Sequence, residues 1–174
     1  ASMNGYSAAN VAPMVKGVKV LIRAAPPIAV FAEPEVIENA PFEMTASGFG
    51  DAVAKCMSSA DWTMNSILFN EHFCPFCNHI IESLEPLYLE HPEDIRNRKP
   101  KAVEALFRGL FWSGVAMTMV GTSAPASGGE HLLSHTLDMM AVRDGQSHDL
   151  HGRQVGLGTI FSAALYEHLL AQEQ

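Results

Sequence analysis

Cysteine and positive charge are both scarce in this chain. Three cysteines in 174 residues are too few, and odd in number, for a disulfide scaffold, and they point to a reducing compartment, the cytoplasm. Lysine and arginine total 11 against 19 acidic residues, a net charge of −8. That balance argues against nucleic acid as a partner, because a nucleic-acid-binding face should be basic. The one basic cluster, Arg96, Arg98, Lys99 and Lys101 around Pro100, reads as a solvated loop. Long hydrophobic runs are missing too: Gly, Ser, Thr or a charge interrupts each one well short of the roughly 18 residues a membrane span requires. No basic segment followed by an apolar one opens the sequence, so neither a span nor a signal peptide is expected.

What the chain has in abundance is apolar surface. Hydrophobic residues make up 48% and charged residues 17%, an excess that implies contact with another domain, a subunit or a ligand. The length suits one domain with a real core. Residues 18–25 (VKVLIRAA) and 28–33 (IAVFAE), parted by Pro26-Pro27, read as two short strands. They are too few for a stable sheet alone, so they pair with something further or lie as a ribbon against helices. Everything after Pro34 reads as helix. Residues 48–69 carry Val53, Met57, Ala60, Met64 and Leu68 at helical spacing behind Ser47, a residue suited to an N-cap. A shorter helix is expected over 75–90, with Pro75 in its first turn and Pro86 limiting its far end. Residues 101–120 are apolar nearly all round and predict a central buried helix. After the connector GTSAPASGG come helices over about 129–142 and 152–172. The fold expected is mainly α: a β segment at 1–33 and a helical domain at 34–174.

Three segments could carry chemistry. HFCPFCNH, residues 72–79, suggests zinc, but a structural zinc site takes four ligands and no second cysteine pair exists. A redox pair would need a βαβ setting, which is missing; the pair reads as buried or incidental thiols. GFGDAVAK, residues 48–55, mimics part of a dinucleotide fingerprint without the preceding strand or the later acidic residue. Within it, Asp51 would sit in the first turn of a helix, where the dipole favours a carboxylate. SGGEHLLSHTLDMM, residues 127–140, puts His131, His135 and Asp138 on one helical face. A histidine pair at i, i+4 can bind one metal ion, yet Leu132 stands where a metallopeptidase would carry its Glu base. A further histidine, His151, precedes Gly152, which allows close backbone approach. Asp51, His131 and His151 would supply one carboxylate and two imidazoles with a fourth position open, the pattern of a catalytic metal.

GFGDAVAK, SGGEHLLSHTLDMM and LHGRQVGLGT, in that order, resemble the metal domain of sn-glycerol-1-phosphate dehydrogenases, in the superfamily of iron-containing alcohol dehydrogenase, glycerol dehydrogenase and dehydroquinate synthase. SMNGYSA and VKVLIRAAPPIAVFAEPEVI also resemble that family's chain just before its helical domain. The resemblance implies a dehydroquinate synthase-like helical bundle with one divalent metal (Zn²⁺, Ni²⁺ or Fe²⁺) on Asp51, His131 and His151. It assigns His135 to the substrate and nicotinamide side, as the catalytic residue. This differs from bare helix geometry, which would choose His131 with His135 as the chelating pair. Asp138 is open between a partner that orients an imidazole and a solvated carboxylate.

The implied reaction is reduction of dihydroxyacetone phosphate by NADH or NADPH, on a small phosphorylated substrate, in a homo-oligomer. Lys55, four residues after Asp51, could help neutralise the substrate phosphate, or pair with Asp51 at the surface. Asn4 stands at a substrate-side position where the family tends to carry Asp. The family's nucleotide-binding domain would precede residue 1 and more helices would follow residue 174. The β segment at 1–33 therefore reads as the remnant of that domain, and the isolated chain is expected to be inactive. Competing readings are a glycerol dehydrogenase-type polyol enzyme, a dehydroquinate synthase-like lyase and a non-enzymatic metal-binding or assembly domain.

Overall fold

A computed structural model describes Ser7 and residues 10–173, and it is mainly helical. Four two-residue strands, β1 (Asn10–Val11), β2 (Met14–Val15), β3 (Val18–Lys19) and β4 (Ile22–Arg23), form two antiparallel pairs, β1 with β4 and β2 with β3. Lys16 and Gly17 turn the β2–β3 hairpin with φ of 50° and 82°, the left-handed pair that a two-residue hairpin turn requires. The strand expected over 18–25 is therefore two short pieces. Residues 28–33 join no ladder; Ile28 lies in a bend, and Ile28 and Phe31 are exposed. Pro26-Pro27 accounts for this, because proline removes the donors a ladder needs. The ribbon lies against the helices, where Lys19 reaches Asp138 at 2.7 Å.

Among the described residues nine α-helices follow: α1 (Pro34–Glu38), α2 (Phe42–Val53), α3 (Lys55–Phe69), α4 (Pro75–Leu84), α5 (Pro86–Leu89), α6 (Pro92–Arg96), α7 (Pro100–Val120), α8 (Gly129–Arg143) and α9 (His151–Leu170). The helix expected at 48–69 begins instead at Phe42 behind Pro41 and breaks at Ala54. Ser47 is thus mid-helix, and Asp51 sits in the last turn of α2 rather than in a first turn. Helix 75–90 is cut in two by Pro86, which starts α5 at its first position, where its missing N–H costs nothing. Asn70 and Gly121, both left-handed (φ 54° and 79°), end α3 and α7.

Helix α7 is the one described helix long and apolar enough to cross a membrane by length and composition. Its place is in the core, packed on α2, α4 and α5. Leu106 and Leu110 meet Ala52, Tyr88 and Ile95 in one cluster, while Ala116 meets Trp62, Cys77 and Ile81 in another. It is not buried all round: Trp112 and Met119 remain on an open side. Helices α8 and α9 pack on each other and α9 lies along α2, which brings the ends of three helices to one point.

Candidate metal centre

That point is built by close helix approach. A Cβ on Gly152 would lie 2.6 Å from the carbonyl carbon of Ser47 and nearer still to its oxygen; one on Gly50 would lie 3.0 Å from the carbonyl carbon of Gly152. No other side chain leaves this room. The Gly152 N–H donates to Ser47 Oγ at 3.0 Å, fastening the first turn of α9 to α2. Asp51, beside Gly50, and His151, beside Gly152, therefore face a common space. His131, in the first turn of α8, completes it: one ligand atom from each of the three lies within 4.8 Å of the others. Among the described residues this is the one group of three or more His, Cys, Asp or Glu so arranged.

The electrostatics of this group favour a cation. Asp51 is 1% exposed, with Lys55 Nζ at 2.8 Å and His131 Nε2 at 3.3 Å from its Oδ1. Burial alone would raise its pKa, but the Lys55 charge and the His131 hydrogen bond hold it well below the usual carboxylate range. Glu130 is fully buried as well, and Gly128 N–H and His131 Nδ1 both bond its Oε1 at 2.8 Å. Burial raises the Glu130 pKa, and these hydrogen bonds more than reverse it. Two buried carboxylates against one buried ammonium leave one negative charge, and the second oxygens, Asp51 Oδ2 and Glu130 Oε2, have no hydrogen-bond partner. Burial would lower the His131 pKa, but Asp51 and Glu130 outweigh it and raise the value, so the metal-free site tends to take a proton there.

The imidazoles are presented as ligands. With its Nδ1–H given to Glu130, His131 turns Nε2 to Asp51 at 3.3 Å, a separation that a proton on Nε2 bridges and that a metal ion could take over. Ser134 Oγ donates to Gln154 Oε1 at 2.9 Å and so accepts from His151 Nδ1 at 3.0 Å; the network thereby assigns the proton to Nδ1 and leaves Nε2 with its lone pair. Burial, then the charge on His131, pushes His151 down to about 4, so this ring is neutral at ordinary pH. Two imidazoles with fixed tautomers and a carboxylate with an unpartnered oxygen fit a divalent metal.

His135 lies beside this group rather than within it, its ring centroid 6.4 Å from that of His131 and 6.0 Å from that of His151. It lines a cavity of about 600 Å³ with Ser58, Asp61, Trp62, Gly128 and Leu132. Burial, with His131 and Lys19 nearby, lowers its pKa. Lys55 is not a surface residue: it is 1% exposed, and Asp51 and the Ala126 carbonyl (3.0 Å) engage its ammonium. It is committed to Asp51 rather than turned outward. Asp138 is buried, not solvated, and pairs with Lys19 rather than with an imidazole at the metal group. Asn4 lies outside the described residues. Glycines 48 and 50 are inside α2, not in a phosphate-binding turn. Glu130, Ser134 and Gln154 escaped the sequence reading. Ser134 and Gln154 each follow a site histidine by three residues, a helical spacing that could have flagged them; Glu130 is adjacent to His131 and offered no such signal.

No family model matches the chain. It is 38% identical over 168 residues to a glycerol-1-phosphate dehydrogenase, NAD(P)+, of Halalkalibacterium halodurans, covering 96% of this chain and 42% of that protein. The like-named protein of Geobacillus thermodenitrificans is 39% identical over 169 residues, covering 97% and 42%. That of Thermococcus sibiricus is 36% identical over 166 residues, covering 95% and 46%. The chain thus spans less than half the length of these relatives.

Proposed function

This chain is homologous to a segment of the glycerol-1-phosphate dehydrogenases, and we propose that it forms the metal- and substrate-binding part of such an enzyme. The reaction is the NAD(P)-linked interconversion of sn-glycerol 1-phosphate and dihydroxyacetone phosphate, in the cytoplasm. The observation that carries this reading is the buried Asp51–His131–His151 group, whose ligand atoms converge and whose Asp51 Oδ2 has no hydrogen-bond partner. Asp51, His131 and His151 would hold a divalent ion, Zn²⁺ before Ni²⁺ or Fe²⁺, which would supply Lewis acidity when bound.

The protein's own residues do the rest. Glu130 holds His131, and Ser134 with Gln154 holds His151, so neither ring can rotate its lone pair away. Lys55 keeps Asp51 ionised at the bottom of the site. His135, neutral and on the cavity wall, is the catalytic group that relays a proton to or from the substrate hydroxyl. Asn4 is assigned to the substrate side by the resemblance alone. The nicotinamide half of the reaction belongs to a separate nucleotide-binding domain, with 1–33 at its junction to the helical domain of 34–174. The open apolar side of α9, with Leu157, Ile160, Phe161 and Leu165 exposed, supports a homo-oligomer or domain packing around that helix.

The test is a metal-loaded protein of the relatives' full length that carries these residues, assayed with NADH and NADPH on dihydroxyacetone phosphate against dihydroxyacetone. Preference for the phosphorylated ketone supports the reading; preference for the free ketone makes it a polyol dehydrogenase instead.

A further inference from the structure

The Cys-x-x-Cys segment is built differently from a pair of incidental thiols. Cys74 is the N-cap of the ten-residue α4, with Pro75 at its first position. The Asn78 N–H donates to the Cys74 carbonyl at 3.1 Å, closing the first turn between the two cysteines. Cys74 Sγ stands at the start of α4, beside its first backbone N–H groups, without a side-chain capping bond to them. The two sulphurs are unequal in access. Cys74 is partly exposed, whereas Cys77 is 1% exposed, packed in the core with Trp62, Ile81 and Ala116. The entry to α4 is also pinned: Trp62 Nε1 donates to the His72 carbonyl at 2.8 Å, and Phe73 packs on Trp62 at 4.6 Å. His72 and His79 form no metal group with the pair.

We propose that Cys74 and Cys77 are a redox-active dithiol that closes to an intrachain disulfide by exchange with a small-molecule disulfide, Cys74 attacking and Cys77 resolving. Oriented N–H donors at a helix N-terminus stabilise a thiolate. The Cys77 backbone N–H at the start of α4 lowers the Cys74 pKa, while burial, aided by Cys74, raises Cys77 to about 11. Cysteines three apart on a closed first turn lie within the roughly 4.4–6.8 Å Cα separation a disulfide accepts. With glutathione disulfide, the Cys74 thiolate attacks one sulphur, the S–S bond breaks and one glutathione thiolate leaves. Cys77 then loses its proton and attacks the Cys74 sulphur, expelling the second glutathione. Two cysteine thiols become one disulfide, the disulfide reagent is reduced to two thiols, and the two protons end on those thiols.

Cys56 is the internal control. It is exposed, is not the N-cap of a helix, and its thiol donates to the Val53 carbonyl at 3.1 Å. In the purified protein at pH 7, Cys74 should alkylate at least about tenfold faster than Cys56, and that ratio should vanish in denaturant. Millimolar glutathione disulfide should link Cys74 to Cys77, read by peptide mass spectrometry. Cys77→Ser should instead trap one glutathione on Cys74, and Cys74→Ser should give neither product while Cys56→Ser changes nothing. Equal alkylation of Cys56 and Cys74 in the folded protein, or three free thiols after glutathione disulfide, would overturn the proposal without any variant having to fold.

Discussion

Gly152→Ala should damage the metal centre although the added methyl touches none of its ligands. The new Cβ would lie 2.6 Å from the Ser47 carbonyl carbon and 2.9 Å from Ser47 Oγ. Carbon atoms settle about 3.5–4.0 Å apart and the Ser47 carbonyl oxygen stands closer still, so α9 must retreat from α2 by more than about 1 Å. The obstacle is backbone, which cannot swing aside as a side chain could. Overpacking of this kind costs about 1–3 kcal/mol. The same shift also moves His151 away from Asp51, when metal–ligand distances tolerate only about 0.2 Å. Thermal unfolding and elemental analysis should therefore both report the change, with Tm falling and bound metal dropping severalfold. Gly156→Ala is the graded comparison: its Cβ would meet Gly50 Cα at 3.3 Å, which asks for a shift of only a few tenths of an ångström and should lower metal content much less. Full metal loading at unchanged Tm in Gly152→Ala would refute the argument that close packing of α2 and α9 assembles the site.

Glu130→Gln keeps the side-chain shape but removes the charge on His131, so metal affinity should fall by about 10 to 100-fold, measured by competition with a chromophoric chelator. Lys55→Met strands Asp51 as a buried unpaired charge and should cost about 3–5 kcal/mol in urea unfolding. The pH dependence of the Lys19–Asp138 pair has a definite sign. Lys19 holds the folded Asp138 pKa below its usual value against the opposing effect of burial, so its contribution is complete above the unfolded carboxylate pKa near 3.9. It is lost as pH falls through the lower folded value. Asp138→Asn should thus destabilise the protein by about 1–2 kcal/mol at pH 7 and by much less in strong acid, measured by denaturant unfolding at both pH values. Replacing Cys74 and Cys77 together by Ser should leave bound metal unchanged, since neither residue belongs to the metal group.

The helices at 101–120, 129–142 and 152–172 were legible because periodicity and punctuation agree there: Pro100 opens α7, Gly121 closes it, and the glycine-rich connector opens α8. The start of α2 was not, because its N-cap is Pro41, with no side-chain cap to announce it. Ser47 looked like a cap but spends its hydroxyl on Gly152, 105 residues away, a contact no local pattern encodes. In the site, residue types and order pointed to Asp51, His131 and His151, but helix spacing alone favoured His131 with His135. What brings His151 to Asp51 is tertiary, the meeting of Gly50 with Gly152. The burial of Lys55 was hidden for the same reason, since its second partner is a carbonyl 71 residues on.

The central claim is that Asp51, His131 and His151 hold one metal while His135 stands beside it, and elemental analysis of purified His131→Ala, His135→Ala and His151→Ala tests it directly. His131→Ala and His151→Ala should lose most of their metal, and His135→Ala should keep it. A His135→Ala protein without metal, next to a His151→Ala protein still loaded, would put the ion on the i, i+4 pair of α8 and contradict the assignment.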